Sequence, residues 1–100
     1  MQTYRYTPLY KSSSGILSSQ LGKRYNMIPI SGKDIDHVRK NLMEQNYRAD
    51  QIIIWRGNGR TKIGYMCFKG RNTYWTPVNK GIASDRHRLI NKDGSLGKVV

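Results

Sequence analysis

Residues 51–78, QIIIWRGNGRTKIGYMCFKGRNTYWTPV, hold three runs rich in β-branched and aromatic side chains, Gln51–Arg56, Thr61–Lys69 and Thr73–Val78, separated by Gly57-Asn58-Gly59-Arg60 and Gly70-Arg71-Asn72. Such side chains suit a pleated, half-buried surface. Glycine and asparagine at the breaks tolerate the positive φ angles that tight hairpin turns need. The stretch therefore predicts a three-stranded antiparallel meander.

Upstream, Ser31-Gly32-Lys33-Asp34 approximates a capping box with Asp in the place of Glu or Gln, and predicts a helix from Ser31 to about Asn46. Its apolar positions Ile35, Val38, Leu42 and Met43 recur at three- and four-residue intervals, opposite a polar face bearing Asp36, Arg39, Lys40 and Glu44. Before it, Arg24–Ile30 reads as a short strand placed at an edge or strand end by Pro29, which has no N–H to donate. The expected fold class is α+β, one amphipathic helix packed on an antiparallel sheet in a β-α-β-β-β core.

The ends carry weaker signals. Thr3–Thr7 alternates like a strand, Ser12-Ser13-Ser14-Gly15 reads as a loop, and a brief helix from about Ile16 to Leu21 would stop at Gly22. Ser84–Ile90 fits a short capped helix; alternatively Arg88–Asn91 pairs with Ser95–Val99 across Lys92-Asp93-Gly94, the reading favoured by the Asp-Gly turn. The expected organisation is a single domain with an N-terminal segment (1–23), a core (24–82) and a basic C-terminal segment (83–100).

The chain has 100 residues, 37% of them hydrophobic, enough for one small core. The single cysteine, Cys67, excludes an internal disulfide and the paired-thiolate spacings of zinc modules. No apolar run of signal-peptide or membrane-spanning length occurs, so a cytoplasmic protein with no membrane partner is expected.

The formal charge of +12 points to an anionic partner, because self-repulsion on this scale opposes compaction unless something screens it. The acidic residues lie between Asp34 and Asp50 or at Asp85 and Asp93, which leaves Arg56, Arg60, Lys62, Lys69, Arg71 and Lys80 unopposed across the meander. The same stretch carries Trp55, Tyr65, Phe68, Tyr74 and Trp75. Cations among aromatic planes suit a nucleic acid, DNA or RNA, held by its phosphates with bases stacked on rings. Candidate binding residues are Arg56, Arg60, Lys62, Lys69, Arg71, Tyr74, Trp75 and Lys80. Trp55 and Tyr65, mid-strand among apolar neighbours, read as core; for Tyr74 and Trp75 both core and surface are open. The glycine-rich turn at Gly57–Lys62 could cradle a phosphate, but it lacks a Gly-Lys-Ser/Thr ending and a following helix, so a plain hairpin turn is the simpler reading.

Two alternatives stand beside this non-catalytic reading. One is an inhibitor or modulator of the kind mobile elements such as phages encode, docking on an acidic protein or nucleoprotein surface. The other is a small metal-independent ribonuclease, for which His87, Arg86 and Arg88 are the candidate residues. His37, on the helix, reads as a surface residue. Six acidic residues, several of them on or near one helix, give little material for a two-metal site, and no cofactor is expected. The order of a helix then three antiparallel strands resembles, in topology alone, the double-stranded-RNA-binding domain and the compact toxin ribonucleases. The lysine-rich second helix of the former and a clear catalytic set of the latter are not found in the sequence.

Overall fold

The runs between Gln51 and Val78 form the expected meander, as strands Gln51–Arg56, Lys62–Lys69 and Asn72–Pro77, all antiparallel, but they are the middle of a much larger sheet. The computed structural model describes residues 2–11, 17–18, 27–45, 49–77 and 87–99. In chain order the elements are β1 (Gln2–Lys11), β2 (Leu17–Ser18), β3 (Ile28–Gly32), α1 (Ile35–Glu44), β4 (Gln51–Arg56), β5 (Lys62–Lys69), β6 (Asn72–Pro77), β7 (Arg88–Ile90) and β8 (Leu96–Val99). The strands run in the order β2-β1-β4-β5-β6-β7-β8, with β3 paired to β1 as well. The α+β class stands, with a sheet that exceeds a β-α-β-β-β core.

The N-terminal segment is not peripheral. β1 lies between β4 on one edge and β3 and β2 on the other, and runs on through Pro8. The proline fits because Leu9 turns its backbone to β4, where its carbonyl accepts from the Asp50 N–H. Backbone groups alternate sides along a strand, so Pro8 directs its missing donor to the other edge, between the last β3 partner, Tyr6, and the first β2 partner, Tyr10. Pro29, in β3, lies on a strand that among the described residues pairs only with β1, as an edge position requires. At the other end of the chain, Arg88–Ile90 and Leu96–Val99 form the hairpin favoured by the Asp-Gly signal. Boundaries near residues 24 and 83 therefore mark no division of the sheet. Leu17–Ser18 pairs with Tyr10 and Lys11 as a strand in place of the brief helix; residues 12–16, 19–26 and 78–86 lie outside the described residues.

The helix begins three residues later than its capping box suggests. Asp34 is the N-cap itself, its side chain accepting from the His37 N–H, while Ser31 and Gly32 remain in β3 opposite Thr3 and Gln2. Strand pairing outcompetes the earlier start, and Asp caps well in its own right. Val38 and Leu42, fully buried, pack with Tyr4, Tyr6, Ile52, Ile54, Met66, Trp75 and Ile90 on one face of the sheet.

Arg39 departs from the expected polar face. It is buried (3% exposed), donates from Nε to the Gly94 carbonyl at 2.7 Å, pairs with Asp36, and sits 4.8 Å from the centre of the Trp75 ring. The β7–β8 turn folds over this part of the helix: a Cβ on Gly94 would lie 1.9 Å from the Asp36 carbonyl oxygen.

Candidate nucleic-acid interface

Alternation along the strands assigns each candidate to a face, with one bulge, where Ile54 pairs with Gly64 but Trp55 with Lys62, returning Lys62 to the side of Trp55 and Tyr65. Ile52, Ile54, Gly64, Met66 and Trp75 face the helix; Ile53, Trp55, Tyr65, Cys67, Tyr74 and Thr76 face the other way. That second face has two halves. Over β1 and β4, Leu9, Ile53 and Trp55 are buried with Met27 and Tyr65 against them, and the Trp55 indole donates to the buried Thr7 hydroxyl at 2.9 Å. Over β5, β6 and the start of β7, Tyr65, Cys67, Tyr74, Thr76 and His87 are half-buried.

The cations group at the two ends of β5. At one end are Arg56 and Arg60, both exposed, and Lys62, half-buried with its ammonium 5.4 Å from the Trp55 ring centre and 5.8 Å from that of Tyr65. At the other end are Lys69 and Arg71, both exposed. Seven strand steps of about 3.3 Å separate Lys62 from Lys69, roughly 23 Å. Lys80 lies outside the described residues.

Trp75 is not available for stacking. Only 4% exposed, it lies in the helix-side core, where Gly64 makes room for its ring: a Cβ on Gly64 would fall 2.4 Å from it. A glycine inside a strand signals close approach of a neighbour, and that was the available clue that Trp75 points inward. Tyr65, read from sequence as core, packs in part against the Leu9, Ile53 and Trp55 cluster and is half-buried, on the same face as Lys62 and Lys69, and with Tyr74 it supplies the aromatic planes. The turn after β4 is a hairpin turn and not a phosphate cradle. Gly59 N–H donates to the Arg56 carbonyl and Arg60 N–H to the Asn58 side chain, so two of the donors a cradle would use are spent internally.

The ribonuclease candidates are separated. His87 shares a hydrogen bond with Thr76 on the face away from the helix, through Nδ1. Arg88 is opposite Trp75 on the helix side and donates from Nε to the Gly97 carbonyl at 3.0 Å. Neighbours on a strand point to opposite faces, so these two cannot converge on one phosphate. Arg86 lies outside the described residues, and His37 is exposed on the helix, as expected of a surface residue. Among the described residues no three His, Cys, Asp or Glu side chains gather as a metal site, and no helix is long and apolar enough to cross a membrane. The chain matches no family model, no curated protein and no solved structure.

Proposed function

We propose that the protein binds a single-stranded nucleic acid along β5 and β6, on the sheet face away from the helix, without catalysing a reaction on it. The observation that carries this reading is that Lys62, Tyr65, Lys69 and Tyr74 share that face, with Arg56, Arg60 and Arg71 at its two ends. A single strand presents both a phosphate chain and unpaired base planes, and a surface that mixes cations with half-exposed rings serves both. A duplex hides its base faces and would leave the tyrosines idle. The roughly 23 Å between the terminal lysines matches several nucleotides, within the ~4–16 that comparable faces cover.

Anisotropy titrations of labelled dT12 and rU12 across a range of salt concentrations test the reading. Each phosphate contact contributes about −0.7 to the slope of log affinity against log salt on single strands, so five contacts give about −3.5. Tyr65→Ala should weaken binding with little change in that slope, because stacking releases few counterions. A flat salt response, or no binding at low salt, would remove the nucleic acid and leave an acidic protein surface as the partner for these cations.

A further inference from the structure

Where β5, β6 and the start of β7 meet, the face away from the helix sinks into a depression of about 200 Å³, lined among the described residues by Cys67, Lys69, Tyr74 and His87. Its parts are held in place. Tyr74 and Cys67 are cross-strand partners, and the Asn72 side-chain amide donates to the Tyr74 hydroxyl at 3.3 Å, fixing the outer end of the ring. The Gln51 amide donates to the Cys67 sulfur at 3.2 Å. Thr76 Oγ1 engages His87 through Nδ1, so Nε2 is the ring atom left for a ligand.

Four different chemistries thus meet in one hollow: an aromatic plane, an ammonium, an imidazole nitrogen and a soft thiol. The volume lies below the roughly 300 Å³ at which sites for drug-sized molecules begin, so it encloses one base, with the sugar and phosphate of the same nucleotide at the rim beside the exposed Lys69, and not a dinucleotide cofactor. We propose that the depression is a subsite for a single nucleotide, its base against the Tyr74 ring and the Cys67 side chain, its phosphate on Lys69 and His87. The inference rests on the nucleic-acid reading and sharpens it: the strand is held at a defined point, where one base leaves the line of its neighbours and enters the sheet.

Cys67 is the only thiol in the chain, which makes its alkylation a single-site probe. The test measures the iodoacetamide rate at Cys67, and the amide resonances of Cys67, Lys69, Tyr74 and His87, with AMP, UMP, inorganic phosphate or dT12 added. The expected result is that a mononucleotide slows alkylation and shifts those four resonances, that phosphate alone does so far less, and that dT12 does so at lower concentration. Tyr74→Leu, which keeps the bulk and loses the plane, should reduce mononucleotide affinity by about 5- to 150-fold, the equivalent of one stacked base. Lys69→Gln, at an exposed position, weakens the phosphate contact and supplies a second arm if Tyr74→Leu does not fold. Equal responses to phosphate and nucleotide would overturn base recognition. Tight dT12 binding that leaves these four resonances unmoved would overturn the subsite and spare the wider face. Mononucleotide binding here without dT12 binding would keep the pocket and remove the single-strand reading.

Discussion

Arg39 joins three elements through one side chain: the helix that carries it, the β7–β8 turn whose Gly94 carbonyl it holds, and the Trp75 ring of β6. Burial lowers its pKa from the usual arginine value, with Asp36 acting in the opposite direction. Asp36 is itself well exposed, so little of the stabilisation comes from that ion pair. The larger effect is hydrogen-bond satisfaction. Arg39→Met keeps the apolar stem but leaves the Gly94 carbonyl without its donor, and should lower unfolding free energy by about 1–3 kcal/mol, read from urea midpoints. Arg39→Lys should be destabilised as well, because the flat guanidinium both donates to the carbonyl and lies by the ring, and an ammonium does not reproduce that pair of contacts. Gly64→Ala acts on the same core from below: its methyl would meet the Trp75 ring, at a cost of about 1–3 kcal/mol and with a shift in tryptophan emission. An unchanged midpoint in Arg39→Met or Gly64→Ala would contradict the packing described. Sequence reading went astray at Arg39 because its neighbours Asp36 and Lys40 mark a solvated helix face, and nothing local announces a turn arriving from 55 residues further along the chain.

At the scale of elements, the β7–β8 hairpin depends on its turn. Gly94 has φ +88 and packs against the helix backbone, so any side chain there is both strained and obstructed. Asp93 accepts from the Ser95 hydroxyl at 2.6 Å and the Ser95 N–H at 3.0 Å, and these bonds hold its pKa below the usual aspartate value of roughly 3.9. A carboxylate whose folded-state pKa is depressed stabilises the fold when the pH is above the unfolded value, and that contribution is lost as pH falls through the folded value. Thermal midpoints of the protein and Asp93→Asn should therefore differ at neutral pH, with the gap closing below about pH 3.9; a gap that persists in acid would show that the turn does not use the charge. This hairpin was legible in part, since Asp-Gly favours a turn between Arg88–Asn91 and Ser95–Val99 while Ser84–Ile90 also fits a short capped helix, and the β7–β8 pairing decides between the two. β1 was legible only to Thr7, because Pro8 argues against a central strand unless the gap between β3 and β2 on its outer edge is known. That gap is a tertiary fact with no local signature.

Across the whole molecule, an uninterrupted run of uncompensated cations in the sequence suggests a continuous patch, and the meander breaks that suggestion. Turns alternate between the two ends of the strands, so Arg56, Arg60 and Lys62 lie at one end and Lys69 and Arg71 at the other. The separation of roughly 23 Å exceeds the ~8 Å screening length at physiological salt. The two groups therefore act independently on anything that touches one end, and together only on a ligand laid along β5. This yields a comparison at constant net charge. The pair Lys62→Gln with Lys69→Gln should make the salt slope for dT12 shallower by about 1.4, at about 0.7 per lost phosphate contact. The pair Lys40→Gln with Lys92→Gln removes the same charge from the helix, where Lys40 pairs with Glu44, and from the β7–β8 turn, and should leave the slope unchanged. If both pairs reduce it equally, the strand responds to the overall positive field and not to a path along β5; if only the first does, the ligand spans the strand from Lys62 to Lys69.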